Sequence, residues 1–368
     1  MLFTPYQLGS MTVTNRMVRS ATGEGMCTIS GRVPPLLVEF YRDLARGGAG
    51  LIITGHAFVR RDGKASEGMM GVHHDKMLDG LTDLAAAVHE SDAKVLCQLN
   101  HAGRQTRPER IGDQTPVAPS AVLDPTSNIL PRALRPDEIE ALIDAYAQAA
   151  LRARQAGFDG VQLHCAHGYL MSEFISPYTN RRDDAWGGSL EARARFPREV
   201  LRRVRATLGD EVPILVKLNA EDFIEGGLSL EESVQIGAML EADGIDAIEI
   251  SAGMAETVDR IVRKDVTRER DEAYLVEYCR AFRRHVDVPL LCVGGLRSKV
   301  VMESVIKSHA ADLVSLSRPL IREPDLPAKF RDGVSEKATC ISCNACTRGP
   351  DGRLGCALDF GADDAAGA

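Results

Sequence analysis

Two histidines and a tyrosine fall within six residues of one another, at His164, His167 and Tyr169, in the stretch DGVQLHCAHGYLMSEFISPYTNRR from Asp159 to Arg182. Histidines three apart on a turn can face one point, and two chemistries fit that. The imidazoles could bind a metal, with Cys165 or a distant acid completing the shell. They could instead donate hydrogen bonds to one oxygen and so polarise a carbonyl. Tyr169 beside them favours the second reading, because a phenol is a natural proton donor in such a site. One histidine alone would read as a satisfied core residue; two with a tyrosine do not.

Other chemistry-bearing residues gather where apolar runs end. Ser20, Thr22 and Glu24 follow the first run, Gly55 and His56 the second, and Gln98, Asn100, His101 and Arg104 the third. Lys217 lies inside VPILVKLN, and an ammonium pointing into a core needs an anionic or electron-rich partner; the plainer reading is a strand-end lysine reaching solvent. Gln98 offers a donor and an acceptor, which suits the edge of a planar heterocycle or a structural amide. Gly294-Gly295 lets backbone N–H groups approach a ligand closely, and Ser317-Arg318 adds charge-assisted hydrogen bonds, so the pair reads as a phosphate grip. Near the end, Cys340, Cys343 and Cys346 form a C-x₂-C-x₂-C run with Cys356 ten residues later. Four thiolates so spaced suit a [4Fe–4S] cluster or zinc, against the alternative of four free thiols.

What would position these groups is a set of apolar, β-branched runs that alternate with amphipathic stretches. Strands are expected at Met17–Ala21, Leu51–Thr54, Val95–Leu99, Gly160–His164, Ile214–Leu218, Ala247–Ser251, Leu290–Val293 and Asp312–Ser315, and helices at Pro136–Ala156, Leu190–Leu208, Leu230–Ala242 and Asp271–Val286. Acids in the first turn after Pro136, a capping box at Ser229–Glu232, and Gly157 and Gly244 at helix ends support those bounds. Continuous apolar strands are strands covered by helices, and eight alternating units favour a closed (β/α)₈ barrel, an α/β fold whose active sites lie at the carboxyl rim. The segment LGSMTVTNRMV is expected to form a hairpin plugging the bottom. The expected division is a barrel over residues 1–330 and a Cys-rich extension over 331–368.

The chain of 368 residues has a net charge of −8, 44% hydrophobic residues and 26% charged. That acidic balance argues against nucleic acid or an anionic membrane as partner. No stretch approaches the roughly 20 apolar residues of a membrane span, and no signal peptide is evident at the start. Scattered cysteines without a secretory signal make a reducing cytoplasm the expected compartment.

The segments NRMVRSAT (15–22), QLNHAGR (98–104), HCAHGYLMSEFISPYTNRRDDAWGGSLEAR (164–193) and ADLVSLSRPLIREPDL (311–326) together resemble the old yellow enzyme / NADH:flavin oxidoreductase family, including the barrel domain of bacterial 2,4-dienoyl-CoA reductase. The resemblance implies a barrel holding FMN at its carboxyl rim and using NAD(P)H as reductant. It implies that Ser20, Ala21, Thr22 and Gly23 line the flavin, with Gly55 nearby. Gln98 would bond its pyrimidine edge, Lys217 would sit near N1/O2, and Gly294, Gly295, Ser317 and Arg318 would hold the phosphate. His164 and His167 would bind the oxygen of an α,β-unsaturated carbonyl substrate, hydride would pass from N5 to the β-carbon, and Tyr169 would protonate the α-carbon. Homo-oligomers are common in the family and are the expectation here. Departures are Gly23 where many relatives carry Thr or Cys, Ala255 where the dienoyl-CoA reductase has a histidine, and a Cys spacing tighter than that of the long reductases. With the sequence ending at Ala368, electrons are expected to arrive directly from NAD(P)H or from a partner.

Overall fold

The computed structural model describes residues 1–360; the last eight residues of the expected extension lie outside the described residues. Eight parallel strands close on themselves: β1 (Met17–Arg19), β2 (Leu51–Ile53), β3 (Lys94–Asn100), β4 (Gly160–Cys165), β5 (Ile214–Asn219), β6 (Ala247–Ser251), β7 (Leu290–Cys292) and β8 (Leu313–Leu316). Each pairs with the next, and β8 pairs with β1 through Val314–Met17 and Leu316–Arg19. This is the (β/α)₈ barrel expected from the alternating runs, with all eight strands within a residue or two of the expected bounds.

Strand periodicity then sorts the side chains. Val161, Leu163 and Cys165 of β4, and Ile214, Val216 and Leu218 of β5, point outward into the large core shared with the helices. The inward set begins with an apolar layer of Val18, Leu51, Ile53, Leu96, Leu215, Ala247, Leu291 and Leu313. Leu8, Met11 and Val13 close it from below; they come from the expected hairpin, whose strands are Tyr6–Leu8 and Met11–Val13. Two residues further along the strands the inward positions turn polar: Ser20, Gln98, Gln162, Lys217, Glu249 and Ser315 are all buried. The next step reaches the rim at Asn100, His164, Asn219 and Ser251. The barrel is thus apolar at its base and polar toward its carboxyl end.

The outer helices include α1 (Pro35–Arg46), α2 (Leu78–His89), α3 (Pro136–Gln155), α4 (Leu190–Leu208), α5 (Leu230–Ala242), α6 (Val276–Phe282) and α7 (Lys299–Lys307). Ser229 Oγ accepts from Glu232 N at 3.3 Å, and Gly157 and Gly244 take φ of 91° and 90° just past α3 and α5, as C-terminal stops require. The helix expected over Asp271–Val286 is shorter. Ala273 has a φ of 51°, and the Glu272 carboxylate is occupied by Arg297 N, Ser298 N and Ser298 Oγ, each at 2.7 Å, which holds the chain out of a helical path until Val276.

The tail folds back on the barrel. Ala338 and Leu354 join the main core and Cys346 packs against it. A two-stranded antiparallel ribbon sets Cys346 opposite Cys356. Among the described residues no helix is long and apolar enough to cross a membrane.

Candidate active site

A cavity of about 210 Å³ opens at the carboxyl rim, and its walls include Ser20, Ala21, Thr22, His167, Lys217, Ser251, Gly294, Gly295, Ser315, Ser317 and Arg318. Residues from β1, β4, β5, β6, β7 and β8 therefore meet at one place, although they span nearly three hundred positions of sequence. Thr22 Oγ1 lies 2.5 Å from Ser317 Oγ and ties the β1 end to the β8 end. Arg318 is fixed from behind: its Nη1 donates to Arg263 O at 3.0 Å, to Ser342 O at 3.2 Å and to Asn344 Oδ1. Gly294 and Gly295 have φ of 125° and 68°, and a Cβ on either would come within about 3.0 Å of the Tyr274 ring. Only glycine fits that turn, and it leaves backbone facing the cavity.

Beside this cavity the imidazoles form a cup. His167 has a φ of 64° and is followed by Gly168 at 74°. Two successive left-handed residues fold the chain back so that the His167 ring stands beside that of His164, a strained arrangement of the kind found at functional sites. The two ring centroids are 5.1 Å apart and nearly perpendicular, and the Tyr169 ring is 5.0 Å from that of His164. His56 completes the ring of aromatics, 5.1 Å from Tyr169 and 6.1 Å from His164. Behind Tyr169 lie Phe58, Ala65, Met69 and Ala102. His167 Nε2 is 2.6 Å from Ser251 Oγ, Asn100 Nδ2 is 3.0 Å from His56 Nδ1, and His164 Nδ1 is buried without a protein partner.

Burial governs the protonation states. It pushes His164 well below the ordinary imidazole value, with the charges of His167, His56 and Lys217 adding to the effect. It lowers His167 to about 3, helped by Lys217 and His56, and lowers His56 to about 4. It raises Tyr169 to about 12. Near neutral pH the cup therefore holds neutral imidazoles and a protonated phenol.

Beneath the cavity the polar layer forms one hydrogen-bonded chain. Gln98 Nε2 donates to Gln162 Oε1 at 2.7 Å, Gln162 Nε2 to Glu249 Oε2 at 2.9 Å, and Ser20 Oγ to Glu249 Oε1 at 2.7 Å. Lys217 Nζ donates to Ser20 Oγ at 2.9 Å and lies 3.1 Å from Glu249 Oε2. Lys217 is thus an inward lysine with a buried carboxylate partner, and the strand-end solvent reading does not apply.

Of the residues expected to hold the cofactor, Gln98, Gly23 and Gly55 are not on the cavity wall. Gln98 sits in the polar layer. A Cβ on Gly23 would lie 3.8 Å from His56 Nε2, at the cup's edge. Gly55 N donates to Glu24 Oε1 at 3.1 Å and is 2.8 Å from Tyr41 Oη, so its amide is already used. Glu24, which follows the first strand, is buried against Tyr41 and Gly55. Burial raises it above the ordinary carboxylate range. Gln162, Glu249 and Ser315 were not among the sequence candidates. The signal for them was parity: each stands an even number of places along its strand from an inward residue.

A metal site at the four tail cysteines is not shown. Cys346 and Cys356 oppose each other, but among the described residues no three His, Cys, Asp or Glu side chains gather closely enough to hold an ion. All nine cysteines are free thiols.

The cavity itself suits a flat, phosphorylated ligand. It joins a lysine, an arginine, a double-glycine turn and several hydroxyls, and it includes the buried Ser315 Oγ, which has no protein partner.

Comparison with known proteins gives a consistent picture. The sequence profile of the NADH:flavin oxidoreductase / NADH oxidase family matches residues 1–337. An NADH oxidase of Thermoanaerobacter brockii is 39% identical over 345 residues, which are 93% of this chain and 52% of that protein. The solved 2-naphthoyl-CoA reductase complex with 2-naphthoyl-CoA superposes with a TM-score of 0.85 at 32% identity, over 90% of this chain and 52% of that one. An old yellow enzyme homologue from Zymomonas mobilis superposes with a TM-score of 0.81 at 29% identity, over 96% of this chain and 98% of that one. The chain thus spans about half the length of the first two and nearly all of the third.

Proposed function

The chain belongs to the NADH:flavin oxidoreductase / NADH oxidase family, and from that premise we propose that it is an FMN-dependent oxidoreductase that uses NAD(P)H to reduce an activated C=C bond. The observation that carries this reading is the pairing of two neutral imidazoles and a protonated phenol with a rim cavity lined by Lys217, Gly294, Gly295 and Arg318.

When bound, FMN supplies a two-electron carrier that accepts hydride from a reduced nicotinamide and passes it on to carbon. The chain's own groups hold and orient the reactants. Arg318, pinned by Asn344 and two carbonyls, and the Gly294-Gly295 backbone bind the phosphate. Lys217 and Ser20, which line the cavity, would stabilise the negative charge that collects on a bound flavin when it is reduced. His164 and His167 direct N–H groups at the substrate's carbonyl oxygen. Because both are neutral, they polarise the carbonyl without giving up a proton. Tyr169, held above the usual phenol range by burial, keeps its proton until the α-carbon needs one. Phe58, Met69 and Ala102 behind Tyr169 exclude water from that side.

Spectroscopy tests this. The purified protein, loaded with FMN, has flavin absorbance that NAD(P)H bleaches under anaerobic conditions and that an enone such as 2-cyclohexenone restores. A protein that takes up no FMN, or whose bound flavin NAD(P)H leaves oxidised, refutes the proposal.

A further inference from the structure

Glu249 is a fully buried carboxylate in the barrel interior, has no place in the reaction steps above, and does not line the cavity. Its two oxygens take hydrogen bonds from Ser20 and Gln162 and face the Lys217 ammonium at 3.1 Å. Burial alone would raise its pKa, but Lys217 and these donors outweigh that and hold it below the ordinary carboxylate range. Stability does not account for the pair. Taking two charges out of water is costly, and apolar residues of similar volume often replace buried ion pairs without loss. The layer immediately below is already apolar, at Leu215 and Ala247, so two further apolar residues would have continued that packing.

Lys217 and Ser20 both line the cavity on one side and contact Glu249 on the other. We propose that Glu249 is a positioning residue: a counter-charge that fixes Lys217 and Ser20 against the cofactor cavity and moderates the positive potential they present to a bound flavin. The inference rests on the flavin reading above. A bare ammonium beneath the ring would favour the electron-rich reduced form strongly and hold its electrons. The carboxylate weakens that pull and keeps the reduced form a competent hydride donor.

The test is the two-electron midpoint potential of the FMN-loaded protein in three variants. Glu249→Gln keeps the size and can still accept one of the two hydrogen bonds, from Ser20 or from Gln162, but removes the charge. It should make reduction more favourable by at least tenfold, about 30 mV upward for a two-electron couple. Lys217→Gln leaves the carboxylate uncompensated and should shift the potential downward by at least as much. Glu249→Asp retains the charge and should stay within twofold of wild type in the reduction equilibrium. Opposite shifts are the signature of a charge pair, whereas a packing defect would not reverse sign between the two partners. An unchanged or lowered potential in Glu249→Gln overturns the proposal, and so does an unchanged or raised one in Lys217→Gln. If Glu249→Gln does not fold, the Lys217→Gln and Glu249→Asp results decide alone. Wild-type protein that takes up no FMN would instead refute the flavin reading itself.

Discussion

Replacing Tyr169 with phenylalanine separates the two halves of the proposed cycle. Among the described residues the Tyr169 hydroxyl makes no hydrogen bond to another protein group, and its ring packs on Phe58, Ala65, Met69 and Ala102. Phenylalanine keeps that packing and orphans nothing, so folding stability should change by no more than about 0.5 kcal/mol. The chemical effect is larger. With burial holding its pKa near about 12, the phenol is protonated throughout the working range and is the one acid in the cup, since His164, His167 and His56 are all neutral. A positioned general acid contributes about 10²–10⁴-fold, or about 2.7–5.5 kcal/mol of barrier. Stopped-flow measurement of each half-reaction makes the comparison. Bleaching of the flavin by NAD(P)H should stay within about twofold of wild type, because Tyr169 lies outside the cavity that holds the ring. Re-oxidation of the reduced protein by 2-cyclohexenone should slow by about 10²-fold or more. Equal loss in both halves, or no loss in the second, would refute the proton-donor role.

Three further outcomes follow from the same geometry. Arg318→Met removes a charge-assisted contact worth about 1.5–3 kcal/mol, so the Kd for FMN should rise by about 10–150-fold; riboflavin, which lacks the phosphate, should bind both proteins alike, and calorimetry or fluorescence quenching reads the difference. His164→Ala takes one donor from the oxygen site and should weaken a phenolic ligand by about tenfold, seen as loss of its long-wavelength charge-transfer band on the flavin. For pH, His56 stays neutral in the fold down to about 4 from an ordinary value of 6.5, so between those values the unfolded chain binds a proton that the native one does not. Wild type should therefore lose stability relative to His56→Gln as pH falls through that window, by up to about 1.4 kcal/mol per pH unit, with no difference in slope above about 6.5; urea denaturation at several pH values measures it.

The barrel was legible because its strands are largely apolar runs bounded by helix caps that local chemistry specifies, such as Ser229 with Glu232 and the glycines at 157 and 244. The rim chemistry followed, since a parallel barrel puts every strand's carboxyl end on one face. What stayed hidden depended on which neighbours the fold supplies. Nothing local says that Gly55 will spend its amide on Glu24 and Tyr41 rather than on a ligand, or that Gln98 will turn to Gln162. Nothing local assigns Glu249 a role; its place opposite Lys217 on the adjacent strand does. His56 joined the cup only because Asn100 orients it from the neighbouring strand. The cysteine spacing suggests a metal; that the tail's antiparallel ribbon sets Cys346 opposite Cys356 is a register that no spacing rule contains.

The central claim is that this rim holds a flat phosphorylated redox ring with the paired imidazoles turned toward it, and a crystal structure of the FMN-loaded protein tests it most directly. The account predicts the phosphate on Gly294, Gly295 and Arg318, the ring over Ser20 and Lys217, and His164, His167 and Tyr169 facing the ring from one side. Flavin bound elsewhere, or those imidazoles directed away from it, would contradict the account.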